Sequence, residues 1–237
     1  MTAPRSAPRD LERTKADILE VATEHFTRNG YYGARVDEIA EQTSTTKRMI
    51  YYCFGSKDGL FSACLHAAYA GIREHERTLH LDALAPAEAI DAYVRGTVRY
   101  HEAHPELAQL VRGENLLGAV HLAPGDDTTN RPIADMLDAV LARGRSSGEF
   151  LADVTGVEVH VAVTAIANFR ITNESTIQAL FGFSTREPGR LDHDLDQYVA
   201  MILGWLRSPA SSRWPAVSGQ SERPEPAIPP AGLSVNT

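Results

Sequence analysis

Apolar residues recur with the spacing of an α-helix along most of the chain. Over residues 11–26 such a stripe, with acidic residues on the other faces, predicts an amphipathic helix that ends near residue 30. Shorter stripes predict helices over 36–43 and 46–54. Ser56 is a suitable N-cap for a longer fourth helix, which is expected to continue to about residue 80.

The remainder of the chain has the same helical periodicity. Five further helices are expected, and four of their starts have a proline, which is well tolerated in a first helical turn. The expected starts lie near Pro86, Pro105, Pro132, Asp153 and Pro188. The β-branched run over 154–164 resembles a strand, but it continues to Phe169 without a turn signal and indicates a long buried helix, which is taken to extend to about residue 183. The expected fold is therefore all-α, with about nine helices.

The final helix carries a broad apolar face. Its members are Leu195, Val199, Ile202, Leu203 and Leu206. A face of this width is typical of a helix that packs against a large apolar surface. Two copies of the chain are expected to share it across a dimer interface.

The composition excludes a wholly disordered or collagen-like chain. The 237 residues are 43% hydrophobic and 23% charged, as in globular proteins, and the N-terminus lacks the apolar core of a signal peptide, so a cytoplasmic location is expected. Six of the thirteen prolines follow residue 208. Residues 208–237 are therefore expected to form a disordered tail, and residues 1–10 either a flexible basic arm or a frayed terminus.

Charge is divided unevenly along the chain. Residues 1–60 carry nine basic and nine acidic side chains, whereas the rest carries 14 basic and 22 acidic ones, which accounts for the net charge of −8. This net charge argues against a protein that coats nucleic acid over its whole surface. A neutral N-terminal part with locally clustered bases, joined to an acidic C-terminal part, indicates that the two parts have different roles.

The segment 36–60 has the pattern of a helix-turn-helix. Two short helices are joined by Ser44 and Thr45, and a third helix follows the break at Gly55. The second short helix presents side chains that are able to donate to base edges and phosphates, while Ile50 and Phe54 fall on its inner side. At the start of the following helix, Lys57 is placed to meet a phosphate.

The sequences VDEIA (36–40) and TKRMIYYCFGSKDGLF (46–61) resemble the DNA-binding domain of the TetR family of bacterial transcriptional regulators. The resemblance covers about residues 11–61. It implies an all-α homodimer with an N-terminal reading head and a C-terminal domain over about 86–207, which binds a small effector and dimerises through its last two helices. The residues expected to contact operator DNA are Arg35, Thr45, Thr46, Lys47, Arg48, Tyr51, Tyr52 and Lys57.

Three positions depart from the pattern of the family: Cys53 stands where a His or Tyr is frequent, and two others concern the backbone of the reading head. Arg35 stands where a Thr or Ser N-cap is usual, so the second helix lacks a side-chain acceptor at its start. Ser44 stands where the turn often has Gly, which implies strain if the residue adopts a positive φ. None of the three departures removes the expected fold.

The long helix after Asp153 offers the best hypothesis for an effector site. An amide interrupts an otherwise apolar stripe, which is typical of small-molecule sites, but the same stripe fits a dimer interface equally well. The pocket residues predicted here and on the preceding helices are His101, Glu114, Asn115, Val161, Ala165, Asn168, Phe169 and Thr172. The predicted pocket is apolar with few charges, which favours an uncharged or weakly polar ligand.

Catalytic and metal-binding signatures are missing from the sequence. It contains no GxSxG elbow, glycine-rich phosphate loop or CxxC pair, and its HEAH segment (101–104) is not a zinc motif. No metal, cofactor or enzymatic activity is therefore expected. The predicted function is a repressor released from a palindromic operator by a small effector; the alternatives are a DNA-binding dimer without effector, a helical interaction module and an enzyme.

Overall fold

The computed structural model describes residues 8–122 and 131–209, and within these ranges the chain forms ten α-helices and no strand. The helices are α1 Pro8–Gly33, α2 Val36–Gln42, α3 Lys47–Phe54, α4 Lys57–Arg77, α5 Pro86–Ala103, α6 Pro105–Leu116, α7 Arg131–Ser146, α8 Gly156–Thr172, α9 Glu174–Phe181 and α10 Arg190–Leu206. The predicted all-α class is confirmed. Of the predicted N-terminal arm and C-terminal tail, residues 1–7 and 210–237 lie outside the described ranges.

The boundaries of α3 follow from local capping. Thr46 Oγ1 accepts a hydrogen bond of 3.2 Å from the Met49 backbone amide, which satisfies a free donor at the start of α3. Gly55 ends the helix with a φ of 77°, a conformation that favours glycine. Ser56 then caps α4 in the same way, through a bond of 3.0 Å from the Gly59 amide.

The first four helices share one apolar core. Its largest members are Ile18, Phe26, Ile39, Ile50, Leu60, Phe61 and Leu65. Gly59 lets α3 and α4 approach closely, since a Cβ atom there would lie 2.0 Å from the Phe54 carbonyl oxygen. The orientation of α3 is therefore fixed by packing on its inner side.

A second core joins α5, α7, α8 and α10. Its members include Tyr93, Val94, Leu137, Val163 and Ile202, all of them buried. Helix α6 contacts both parts of the chain, because its Leu110 packs into the core of the first four helices and the helix also lies against α5 and α8. The N-terminal and C-terminal parts of the chain are thus in direct contact.

Two expectations about the C-terminal part were wrong. The single helix expected over 153–183 divides at Asn173 into α8 and α9, because Asn173 leaves the helical conformation (φ −114°, ψ 8°) and asparagine competes poorly as a helix-interior residue. The apolar face of α10 is turned into its own subunit: Leu195, Val199, Ile202 and Leu206 are buried within the chain. That face is therefore already covered.

Candidate nucleic-acid interface and ligand cavity

Helix α3 presents polar and aromatic side chains to solvent. Thr46, Lys47, Arg48, Tyr51 and Tyr52 are all exposed. The opposite side of the helix is anchored by Ile50, which is completely buried. Short exposed helices that are held rigidly on one side are the elements that enter the major groove of DNA.

Lys47 is held at the corner between α2 and α3. Its Nζ lies 3.0 Å from Asp37 Oδ1, and the hydrogen bond to this carboxylate raises the pKa of Lys47. The pair is exposed, so water and salt weaken it. Lys47 is therefore charged and able to exchange Asp37 for a phosphate or a base.

The start of α2 and the turn after it show the structural consequences expected for Arg35 and Ser44. Arg35 occupies the N-cap position without a side-chain capping bond, and its guanidinium lies 3.7 Å from Glu38. Ser44 has a φ of 51°, in the left-handed region. Arg35 is exposed, whereas Thr45 is half-buried in the turn.

Lys57 lies at the start of α4, close to the end of α1. Its Nζ is 4.8 Å from the centre of the Tyr31 ring, and partial burial lowers the pKa of Lys57. The neighbouring Tyr32 is 84% exposed, and the sequence reasoning did not single it out. Its signal was an aromatic pair at the end of the first helix, beside the predicted reading head.

A polar junction, buried at Glu114 and exposed at Asp58, connects this head to the C-terminal part. The His121 backbone amide donates to Glu114 Oε1 at 2.6 Å, and its ring Nδ1 lies 2.7 Å from Glu114 Oε2. On its other side, His121 Nε2 is 3.3 Å from Asp58 Oδ1. The Asp58 carboxylate also accepts a hydrogen bond from the Tyr31 hydroxyl. One histidine therefore bridges α6 and the beginning of α4.

Replacement of His121 is expected to destabilise this junction. Glu114 is only 1% exposed, so His121→Ala leaves a buried carboxylate without one of its hydrogen bonds. We expect the free energy of unfolding to fall by about 1–3 kcal/mol in chemical denaturation. The exposed His66 on α4 provides the control, and His66→Ala is expected to cost less than about 0.5 kcal/mol. Equal losses in the two variants would contradict the structural role of the junction.

Two neighbouring cavities lie between α4, α5, α6 and α8. The inner one has a volume of about 170 Å³ and is lined by Tyr69, Ile72, Arg73, His101, Leu107, Val111, His160, Thr164 and Asn168. The outer one, of about 420 Å³, is lined by Ala108, Val111, Arg112, Asn115, Leu116, Asn168, Thr172 and Asn173. Since they share Val111 and Asn168, the two cavities adjoin each other.

The inner cavity combines apolar walls with charged and titratable side chains. Arg73 and His101 are 7% and 3% exposed, and burial together with the Arg73 guanidinium lowers the pKa of His101 and of His160 to about 4 each. Both histidines are therefore neutral at physiological pH. The Tyr93 hydroxyl hydrogen bonds with His160 Nδ1 at 2.7 Å, which fixes the orientation of that ring.

The predicted pocket residues fall into three groups. His101 and Asn168 line the inner cavity, and Asn115 and Thr172 line the outer one together with Asn168. Glu114 is engaged in the junction with His121 and lines neither cavity. The remaining three, Val161, Ala165 and Phe169, lie on the exposed side of α8.

The sequence reasoning missed Arg73, the charged residue that lines the inner cavity, and the buried carboxylate beside it. Arg73 and its neighbour Glu76, on α4, are both buried, with Arg73 Nη1 2.9 Å from Glu76 Oε2. Glu76 follows Ile72 by four residues and so continues the apolar stripe of that helix. A charged residue at a position that continues an apolar stripe was the sequence signal that charged groups are buried here.

Helix α8 also has an unusual apolar surface. Val157, Val161 and Phe169 are 54%, 57% and 56% exposed, at spacings of four and eight residues along one side of the helix. Met201 on α10 is likewise exposed. Large apolar side chains that line up on one exposed side are typical of a surface that another protein covers.

No metal centre or membrane-spanning element occurs in the described residues. Within 8–122 and 131–209, His, Cys, Asp and Glu side chains do not form a group of three that could hold a metal ion. In the same ranges, no helix is both long and apolar enough to cross a bilayer.

Comparison with known proteins gives consistent matches along the chain. A family profile described as "Bacterial regulatory proteins, tetR family" matches residues 18–64, and one described as "Tetracyclin repressor-like, C-terminal domain" matches residues 86–202. The HTH-type transcriptional repressor NicS of Pseudomonas putida is 28% identical over 170 residues, which are 71% of this chain and 80% of NicS.

Solved structures with the same fold match this chain over nearly the whole length of each solved chain. A bacterial regulatory protein in the tetR family from Rhodococcus RHA1 superposes with a TM-score of 0.65 at 18% identity, covering 82% of this chain and 97% of the other. AibR, in complex with isovaleryl coenzyme A and operator DNA, gives a TM-score of 0.60 at 18% identity, covering 80% and 98%. At these identities the similarity establishes the fold.

Proposed function

The chain belongs to the TetR family of bacterial regulatory proteins, and we propose that it is a sequence-specific repressor that a small effector releases from a palindromic operator. It acts in the cytoplasm, where the DNA lies. Residues 11–61 form the DNA-binding domain and residues 86–207 the effector-binding and dimerisation domain. The name of the relative NicS, a transcriptional repressor, supports the direction of regulation.

The observation that carries this proposal is the exposed side of α3. Its donors project from a helix whose inner side is locked by Ile50 and whose start is capped by Thr46. In the proposed complex α3 lies in the major groove, with Lys47 and Tyr51 toward the bases and Lys57 toward a phosphate. The full contact set is Arg35, Thr45, Thr46, Lys47, Arg48, Tyr51, Tyr52 and Lys57.

The exposed apolar side of α8 supports a homodimer. Two copies related by a twofold axis bury Val161 and Phe169 of each chain against one another and against the outer side of α10. On α10 this outer side includes Met201 and Gly204, and a Cβ atom at Gly204 would meet nothing within 4 Å in the isolated subunit. The dimer thus provides two reading heads for the two half-sites of a palindrome.

The contacts of helix α6 support a coupling between effector binding and DNA binding. It lines the inner cavity with Leu107 and Val111, inserts Leu110 into the core of the head, and holds His121 through Glu114. A ligand that binds better to one position of α6 shifts the position of the head, and the two heads then lose the spacing of the operator.

Selection from a pool of random DNA duplexes tests the function. We expect the purified full-length protein to enrich a palindromic motif at moderate salt, because a symmetric dimer reads two equal half-sites. Enrichment of a palindrome whose binding no metabolite weakens would favour a DNA-binding dimer without effector. A well-folded dimer that enriches no motif would contradict the proposal and favour an interaction module.

A further inference from the structure

The inner cavity contains buried polar atoms that have no hydrogen-bond partner among the described residues. They are Arg73 Nε, both ring nitrogens of His101, and Asn168 Oδ1; Arg73 Nη1 likewise makes no hydrogen bond, although it lies 2.9 Å from Glu76 Oε2 in an ion pair. Buried polar groups are nearly always paired, and each unpaired one costs free energy. Three side chains from three helices, α4, α5 and α8, therefore converge on one small space with unused hydrogen-bonding capacity.

The dimensions of the cavity limit the size of its ligand. Its volume of about 170 Å³ is close to that of an engineered protein cavity, about 150 Å³, that holds one benzene molecule. Tyr69, Ile72, Leu107 and Val111 provide aromatic and aliphatic walls. A ligand with a single ring therefore fits the space and its apolar sides.

The charge of the cavity lining indicates the chemistry of the ligand. Arg73 is its only charged member among the described residues, because both lining histidines are neutral. The Arg73 guanidinium is ion-paired with Glu76 through Nη1, but neither Nε nor Nη1 makes a hydrogen bond to a described residue, and the planar group matches the two oxygens of a carboxylate. Resting on the proposed effector role of this cavity, we propose that its ligand is a small carboxylate of single-ring size, with the carboxylate on Arg73 and the ring between Ile72 and Val111.

Glu76 makes this binding dependent on pH. It lies beside Arg73 but outside the cavity lining, and burial raises the pKa of Glu76 to about 7. The charged and titratable groups around it are Arg73 and Arg77 on α4 and Tyr93 and Tyr100 on α5. A bound carboxylate brings a second negative charge to Arg73, so Glu76 takes up a proton when the ligand binds. Affinity is then highest below pH 7 and falls as the pH rises through 7.

Calorimetric titration of the full-length dimer with benzoate and with benzamide tests the proposal. The two ligands have nearly the same size, but only benzoate is charged. We expect benzoate to bind at least about tenfold more tightly at pH 6.5, because its hydrogen bonds to Arg73 are charge-assisted. Between pH 6 and pH 8.5, we expect the affinity for benzoate to fall by about tenfold or more.

Variants separate the charge of the site from its shape. Glu76→Gln is expected to remove the pH dependence, and Arg73→Gln with Glu76→Gln is expected to abolish the preference for benzoate without leaving an unpaired buried charge. Arg99→Gln, which alters an exposed arginine on α5, is the matched control and is expected to change nothing. Equal binding of the two ligands, retention of the preference in the double variant, or no binding of benzoate at about 10 mM would overturn the proposal.

Operator binding distinguishes this proposal from the function on which it rests. A protein that binds its selected operator but not benzoate retains the proposed function and loses the carboxylate site. A protein that binds benzoate with the expected variant pattern but enriches no DNA motif retains the site and loses the regulatory function. The two results are read from separate titrations of the same preparation.

Discussion

A chain carrying both Val161→Glu and Phe169→Glu is expected to be a folded monomer that no longer binds its operator. Both side chains lie on the exposed side of α8, so the isolated subunit accommodates the carboxylates in water. In the proposed dimer the same positions are buried, and a symmetric pair brings four uncompensated negative charges into an apolar interface. Such charges cost several kcal/mol and are expected to prevent association.

Loss of the dimer has a large effect on DNA binding because it separates the two reading heads. Two linked heads bind more tightly than one by about 100-fold to 10,000-fold, without any new contact. We therefore expect the double variant to lose at least about 100-fold in operator affinity. Sedimentation gives the oligomeric state and a DNA-binding titration gives the affinity.

Ala142→Glu is the matched control for this experiment. Ala142 is an exposed helical residue on α7, outside the surface formed by α8 and α10. Its replacement is expected to leave both the dimer and the operator affinity unchanged. A dimeric double variant would contradict the proposed interface, and a monomer with full affinity would contradict reading by paired heads.

Substitution of Lys47 and Tyr51 by alanine is expected to give the second large effect. Each removes an exposed side chain from the centre of α3 without disturbing Ile50 behind it. A lost base contact costs about 1–3 kcal/mol per half-site, and a lost phosphate contact lowers the salt dependence of binding by about one unit. We expect operator affinity to fall by at least about tenfold for each variant, as measured by titration at several salt concentrations.

Two further variants identify what each residue contributes. Tyr51→Phe keeps the ring and removes the hydroxyl, so it separates stacking and shape from hydrogen bonding. Asp37→Ala removes the carboxylate that holds Lys47 at 3.0 Å, and it is expected to retain or increase the affinity. Arg99→Ala, on an exposed part of α5, is the control for general loss of positive charge. Unchanged affinity and salt dependence in both Lys47→Ala and Tyr51→Ala would rule out α3 as the reading helix.

The reading head was predictable because its structure is determined locally. Thr46, Gly55 and Ser56 set the ends of α3 and the start of α4 through bonds and dihedral angles that involve residues no more than four positions away. Ile50 and Phe54 follow the helical period, so the exposed side of α3 follows from the same pattern. Caps, turns and periodicity act within a few residues, and the sequence contains all of them.

The inward side of α8 was not predictable in the same way. Val159, Val163, Ala167 and Ile171 are buried, while Val157, Val161, Ala165 and Phe169 are exposed, and both series repeat every four residues. Two apolar stripes of equal period give no local signal of which one faces the core. The packing of α8 against α5 and α7 determines which of the two stripes is buried. It places three predicted pocket residues on the outer surface.

What the sequence determined by itself was the all-α class, the helix-turn-helix and the side of α3 that faces solvent. The cavity was decided only by the tertiary structure, which brings together Arg73, His101 and His160 from three helices that are far apart along the chain. Their neutral or charged state depends on burial, and burial depends on the packing of whole helices. Local sequence specifies helices and their ends, whereas the chemistry of an enclosed site arises from contacts between helices.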